Sequence, residues 1–429
     1  MSASTVTAPY CSKSLFDRDK TMKYEISLKY MNSFEPSTEK KDVALRRVSD
    51  LCSKLGRVNI GTNSIYIPSG SAGHATAVML ESVIKHAGYK VGRISSEYAS
   101  DSRKIVFLDG KIAPIEEYNR AVAEIKNAVM NDPGEGYLRE EVTFALALLL
   151  CKMHAAEYVI IEAPISGDCR LASLCAPYDL VIVPTLYDGE SSAGTVCDAI
   201  RHGVREVVSG NQKKATYDMI SNACVSNGAR LTLTSKTSFK TEKCSSITIA
   251  FSYGDRNGYT LKSPSLIQRE CAMLVIESSL AIRRDGVKMP WASITSGLSS
   301  AVNTGCFETL SVSPLLMLDT ACTENEIKQL LLTLDEVFGV GRVKNIALCI
   351  QSGNEHLTGL FGEIGVSYLI VVGEKKITDD CAEVVACKDC KEAAKTVAET
   401  MKNNVDTVCL GSLKFESELR EEIIKLMNC

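Results

Sequence analysis

What the sequence lacks narrows its roles first. No apolar stretch approaches the roughly 20 residues of a membrane span, and the longest run, Phe144 to Cys151, is about half that length. Lys/Arg-rich runs are missing too: 48 basic residues face 52 acidic ones, for a net charge of −4. That balance argues against nucleic-acid binding driven by phosphate contacts. The N-terminal stretch MSASTVTAPYCSKSLFDRDK has no apolar core behind a basic start, which argues against a signal peptide and against a membrane role. The expected compartment is the cytoplasm.

Cysteine is plentiful, but a disulfide framework is not implied by 17 cysteines, an odd count, in a chain of 429 residues. Cys151, Cys224, Cys271, Cys349 and Cys409 lie in apolar segments, where a reduced thiol behaves as a small hydrophobe. Cys387 and Cys390 have the spacing of half a zinc site, with Cys381 nearby, yet no second pair completes four ligands. Free thiols are the expectation, with Cys387, Cys390, Cys11 and Cys429 the most reactive. A thiol- or metal-dependent redox protein built on Cys381, Cys387 and Cys390 is the weakest of three functional classes.

What is present is ordinary for a globular protein: 45% hydrophobic and 23% charged residues, in a chain long enough for two or three domains. Residues 24–35 read as polar and irregular, and Lys40 to Leu55 as an amphipathic helix. Ser64 to Pro68 reads as a strand, followed by a small-residue loop and a helix from about Ala75 to Ala87. Gly88 stops that helix before a strand at Lys90–Ser95. An apolar helix, Val142 to His154, leads into strand Glu157–Glu162, and Leu180–Pro184 is a further strand. Continuously apolar strands between helices indicate an α/β fold with a mainly parallel sheet.

The C-terminal third repeats the pattern. Strands are expected at Leu315–Asp319, Asn345–Gln351, Tyr368–Gly373 and Thr407–Gly411, and helices at Glu324–Val337, Asp389–Lys402 and Phe415–Met427. The expected organisation is a large domain over residues 1–285, a linker at 283–290, and a smaller Rossmann-like α/β domain over 291–429. The linker bears Gly and Pro and precedes the only tryptophan, Trp291.

A strand, a Gly-bearing loop and a helix at residues 64–87 form the setting of a phosphate-binding loop. Such a loop aims backbone N–H groups at phosphate oxygens, while a lysine reaches the terminal phosphates and a Ser/Thr hydroxyl ligates magnesium. Here the loop reads Ser69, Gly70, Ser71, Ala72, Gly73, His74, Ala75, Thr76. It holds two glycines and no lysine.

The flanks add a resemblance. The helix Thr76–Ala87 followed by Gly88-Tyr89-Lys90-Val91-Gly92 resembles the segment after the phosphate loop of folylpolyglutamate synthases, in the Mur-ligase superfamily, which typically read GTNGKGST, a helix, then AGYKVG. Similar segments continue in order: Leu45–Leu51, Asp109–Ile112, Glu140 with Thr143, Tyr158–Glu162, Leu266–Ala272 (like HQxxNA) and Leu318-Asp319 (like LDGAHNP). The resemblance implies a P-loop-type N-terminal domain, a smaller C-terminal domain, and ATP-dependent amide formation between a carboxylate and an amino acid, usually glutamate, through an acyl phosphate.

The same resemblance places residues. It puts the phosphate-loop lysine at Gly73, the next glycine at His74 and the magnesium-binding serine at Ala75. Glu162 falls on a magnesium ligand, and Gln268 and Asp319 keep family positions. The glycine-rich run after Glu162 falls on Ala163–Ser173 and is mostly lost. The metal-binding histidine becomes Gly189, the metal-bridging lysine falls near Val204, the arginine of WPGR is missing from Trp291–Ile294, and the His-Asn pair becomes Cys322-Thr323.

Phosphoryl transfer depends on positioning and charge compensation, so these losses imply a pseudoenzyme-like chain with a degenerate phosphate loop. The expected function is binding or regulation, beside an active paralogue or with a small ligand in the interdomain cleft. The alternative is an active ligase with a rebuilt phosphate site, using ATP and magnesium, in which His74 together with Lys85 or Arg93 replaces the lysine. Bland roles are open as well: Glu162 as a cap or salt bridge, Asp319 as a cap for the helix beginning near Glu324, and Cys322 as a structural thiol.

Overall fold

The computed structural model describes residues 15–38, 44–95, 102–130, 136–163, 170–186, 190–201, 203–362, 364–373 and 383–427. The chain divides into two compact units, Met1–Val58 with Ala113–Leu150, and Asn59–Ile112 with Cys151–Cys429.

The first elements among the described residues are α1 (Leu15–Asn32) and α2 (Leu45–Lys54). It enters a sheet at β1 (Asn63–Pro68), leaves through α3 (Ser71–His86) and returns as β2 (Val91–Ile94), β3 (Val106–Leu108) and β4 (Lys111–Ile112). Helices α4 (Ile115–Met130) and α5 (Arg139–Met153) precede β5 (Tyr158–Ala163) and β6 (Leu180–Val183). Helix α6 (Glu190–Arg201), β7 (Glu206–Ser209), α7 (Lys214–Asn227) and β8 (Arg230–Leu233) follow. Strands β9 (Phe239–Cys244), β10 (Ile249–Tyr253) and β11 (Arg256–Leu261) form a small antiparallel sheet before α8 (Leu266–Arg284) and α9 (Trp291–Ser300). The C-terminal sheet starts at β12 (Glu308–Val312) and β13 (Leu315–Asp319), then α10 (Glu324–Phe338), β14 (Ile346–Gln351) and β15 (Val366–Val372). It finishes with β16 (Glu383–Cys387), α11 (Cys390–Lys402), β17 (Thr407–Leu410) and α12 (Leu413–Met427).

The first unit is helical. In α2 the expected apolar stripe buries Val48, Leu51 and Cys52, while residues 40–43 of the expected helix lie outside the described residues. The segment expected to be irregular, 24–35, belongs mostly to α1 instead, whose Tyr24 packs edge-on against Tyr118 of α4. Packing on a partner helix, rather than its own weak periodicity, holds that helix. Buried Glu141 ties the unit together, accepting from the backbone of Ala44 and Leu138 and from the Arg47 guanidinium.

The second unit holds an eight-stranded sheet of order β4-β3-β2-β5-β1-β6-β7-β8, with β2, β5, β1, β6, β7 and β8 parallel. The strand order reverses at β1. In open α/β sheets, the crevice outside the carboxyl ends of the strands at such a reversal is where ligands bind. The six-stranded sheet runs β12-β13-β17-β14-β15-β16 and is parallel apart from the β12–β13 pair.

Helix α3 carries the core of the larger sheet. Its Ala77, Leu80 and Val83 are buried, and α9 approaches it so closely that a Cβ on Gly297 would stand 2.5 Å from the Val83 Cα. Trp291–Ser300 thus packs with the first sheet, and residues 283–290 join two helices of that layer. The passage from one sheet to the other runs through residues 301–307 instead.

Candidate functional site

The crevice begins at the carboxyl end of β1. There Ser69 N–H donates to the Ala163 carbonyl of β5, and Gly70, at φ 117°, turns the chain into the helix. Helix α3 starts at Ser71, four residues before the expected Ala75, so the loop between strand and helix is only Ser69-Gly70. Gly73 lies within the first turn, and any Cβ there would overlap the Pro68 carbonyl. Ala75 and Thr76 are buried, the Thr76 hydroxyl donating 2.7 Å to the Ala72 carbonyl.

His74 points from this turn towards the end of β5, where its Nδ1 lies 3.1 Å from Glu162 Oε2. Glu162 has no exposed surface. Its other oxygen accepts from Arg93 Nη1 at 2.6 Å, and Arg93 Nε donates 2.7 Å to Glu81 Oε2 of α3. The Gly110 backbone N–H satisfies the second Glu81 oxygen at 2.7 Å, and the Arg93 guanidinium rests 4.3 Å from the centre of the Phe107 ring. Burial by itself would raise the Glu162 carboxyl, but the His74 and Arg93 charges and hydrogen bonds outweigh it and hold it below the ordinary range. Burial would likewise lower Arg93, and the two glutamates instead keep it above its usual value. The result is a buried string, Glu81–Arg93–Glu162–His74, in which Glu162 has the salt-bridge role.

The C-terminal sheet closes on the same helix end. The Thr320 hydroxyl, just past β13, donates 2.9 Å to the Ser71 hydroxyl, and the Cys306 thiol lies 3.3 Å from that same Thr320 oxygen. Gln268 donates to the Cys306 carbonyl at 2.6 Å and accepts from Asn303 at 2.9 Å, so its amide is occupied within the chain. Asp319 accepts from the backbone of Phe307 at 2.7 Å and Ala321 at 2.8 Å. Burial pushes its carboxyl up to about 7, against the pull of those two bonds. The expectation that Asp319 caps the following helix is corrected: Thr323 caps α10 in a capping box with Glu326.

Between β2–β3 and α12 lies a cleft of about 220 Å³, lined by His74, Ser95, Lys104, Phe107, Lys414 and Arg420 among others. Lys104 spans it, reaching Glu421 at 2.8 Å and Ser417 at 3.3 Å, and Arg420 holds Glu308 with both contacts at 2.8 Å. Lys104, Lys414 and Arg420 were missed from sequence. The signal was present in the spacing of Lys414, Ser417, Arg420 and Glu421, which at 3.6 residues per turn share one face of α12.

Other expected positions are not brought here. Val204 is buried just before β7, at the amino end of the sheet and opposite the crevice. Trp291–Ile294 is the first turn of α9. Cys322 is partly buried, with its thiol 3.2 Å from the Thr320 carbonyl. Cys387 is buried and Cys390 is pushed by burial up to about 12, so neither is the reactive thiol expected; Cys244 is the exposed cysteine among the described residues. Among the described residues no group of three or more His, Cys, Asp or Glu is arranged to hold a metal ion. Cys11, Cys381, Cys429, Gly189 and most of the stretch after Ala163 lie outside the described residues.

No protein-family model matches the chain. It is 23% identical to the dihydrofolate synthase/folylpolyglutamate synthase of Bacillus subtilis over 330 residues, 70% of this chain and 74% of that protein. It is 25% identical to the Escherichia coli enzyme of the same name over 307 residues, 68% of each. Among solved structures, folylpolyglutamate synthetase from Lactobacillus casei superposes with a TM-score of 0.77 at 17% identity, covering 94% of this chain and 99% of that one. Folylpolyglutamate synthase from Thermotoga maritima gives 0.75 at 20% identity, covering 94% and 97%. The fold is that of folylpolyglutamate synthases and the Mur-ligase superfamily. No helix among the described residues is long and apolar enough to cross a membrane.

Proposed function

We propose that this chain is a folylpolyglutamate-synthase-like protein that acts by binding, through the cleft between its two sheets, and that it does not perform ATP-dependent amide ligation. The observation that carries this reading is the saturation of Glu162. The resemblance makes it a magnesium ligand, yet one oxygen is held by Arg93 and the other faces His74. A hard divalent cation needs carboxylate oxygens, and here it would have to displace a guanidinium whose Nε donates to Glu81.

Two further features support it. Gly73 has no room for the side chain that would compensate terminal phosphates, and the Ser71 hydroxyl at the helix start already accepts from Thr320. This donor set does not fit magnesium-ATP. The cleft instead sets Phe107 and Leu413 beside Lys104 and Arg420, which are themselves paired with Glu421 and Glu308, a mixed apolar and polar lining suited to a small organic ligand.

Calorimetry tests the reading directly. Titrating the purified chain with ATP and magnesium is expected to give no saturable heat at millimolar nucleotide. A micromolar Kd that requires magnesium would overturn it and put an active amide ligase in its place.

A further inference from the structure

Several arginines of the second unit, buried and exposed alike, are paired with carboxylates. Arg93, Arg205, Arg230, Arg269, Arg284 and Arg420 each hold an Asp or Glu. Arg256 and Arg283 are different. Both are exposed, and among the described residues neither guanidinium has a hydrogen bond or an ion pair. Both lie over the half-buried ring of Trp291, with Cζ 4.6 Å and 5.2 Å from its centre.

Three separate elements supply this cluster. Arg256 opens β11 after the Gly254-Asp255 turn, Arg283 sits in the last turn of α8, and Trp291 starts α9. Stacking on an indole face holds each guanidinium by its flat side, and it leaves the N–H edges open. Those edges form the planar fork that accepts a carboxylate in two-point fashion. Lys288 adds an exposed ammonium close in sequence. Of the neighbouring acids, Asp285 is faced by Arg205 at 3.7 Å, while Asp255 is exposed beside Arg256.

The cluster sits on a hairpin turn and two helix ends, away from the cleft residues, which suits a macromolecular surface better than an enclosed small molecule. Trp and Arg are also the residue types that most often anchor protein interfaces. Nucleic acid is disfavoured, because three cations in a chain of net charge −4 do not make a track along a phosphate backbone. We propose that Arg256, Arg283 and Trp291 form a docking site for an acidic segment of a partner protein. This site is independent of the nucleotide reading, and its test does not involve ATP.

Trp291 is the only tryptophan in the chain, so its emission reports this site alone. The full-length protein would be titrated at low salt with an acetylated, amidated hexa-aspartate peptide. A saturable change in emission is expected, weakened about tenfold or more in an Arg256→Ala/Arg283→Ala double variant. If that variant fails to fold, Arg256→Lys/Arg283→Lys retains the charge and stacking while removing the fork, and weaker binding is again expected. Absence of a saturable response in the native protein, or variants that respond like it, would overturn the proposal. So would an equal response to hexa-asparagine or inorganic phosphate, or a stronger one to a single-stranded oligonucleotide.

Discussion

Replacing Arg93 with methionine removes the guanidinium that holds Glu81 and Glu162 together. The arginine side chain is 4% exposed and its two partners 3% and 0%, so solvent cannot take its place. Methionine fills much of the same stem volume, which keeps the cavity contribution small. What is lost is the charge, and breaking a buried pair by deleting one partner costs about 3–5 kcal/mol.

The pH dependence separates this charge argument from ordinary core damage. In the native chain the Glu162 carboxyl is depressed, so its contribution is fully present above its unfolded pKa near about 4.3 and is lost as pH falls through the lower folded value. Without Arg93 the burial contribution at Glu162 is opposed by His74 alone, the folded Glu162 carboxyl is raised, and the sign reverses. Stability of the variant then falls as pH rises above about 4.3. Urea unfolding followed by circular dichroism at pH 5 and pH 8 should show a penalty that grows with pH, and Glu162→Gln in the variant should recover part of it at pH 8. A loss under about 1 kcal/mol at pH 8, or one equal at both pH values, would refute the reasoning.

A second carboxyl is expected to respond in the opposite way. Glu416 is fully buried, both its oxygens lack a hydrogen-bond partner among the described residues, and burial, followed by the nearby Cys349, Asp319 and Glu308 charges, pushes it well above its ordinary value. Glu416→Gln should therefore leave stability unchanged at pH 4 and raise it at pH 8 by up to about 3 kcal/mol; a pH-independent effect in chemical denaturation would contradict this. Gly73→Ala should lower the unfolding midpoint by the equivalent of about 1–3 kcal/mol, since the new Cβ meets a backbone carbonyl that cannot move aside cheaply. An unchanged midpoint would mean that the first turn of α3 is not pressed against β1.

The parts of the fold legible in the sequence were those with one dominant signal. Leu180–Val183 is buried at every residue, as a parallel strand covered on both faces must be, and its composition says so. The β9–β11 sheet gave no such signal: β9 is mostly exposed and charged, and it is held by its pairing with β10 rather than by its own apolar content. At the site, Glu162 and His74 were identifiable from the resemblance, but their relation was not. Arg93 could be weighed only as a substitute for the phosphate lysine. Its actual role depends on the register of β2 against β5, where Arg93 pairs with Ile160 and so stands two residues from Glu162. Sequence periodicity carries no information about which residues of neighbouring strands stand side by side.

That register also explains how a guanidinium reaches this place. Side chains alternate across a strand, so Gly92 and Arg93 face opposite sides of the sheet. Gly92 lies against Cys151 at the end of α5, where a Cβ would overlap the thiol. Its neighbour is thereby directed to the α3 side, where Glu81 and Glu162 flank it. A carboxylate buried as completely as Glu162 must be neutralised by a cation or by a proton. A metal ion would make the crevice depend on the supply of that ion, and a proton would make it depend on pH. An arginine is charged at every pH at which the protein folds and cannot dissociate. The crevice therefore keeps its electrostatic balance with nothing bound, because the charge that answers Glu162 is part of the chain itself.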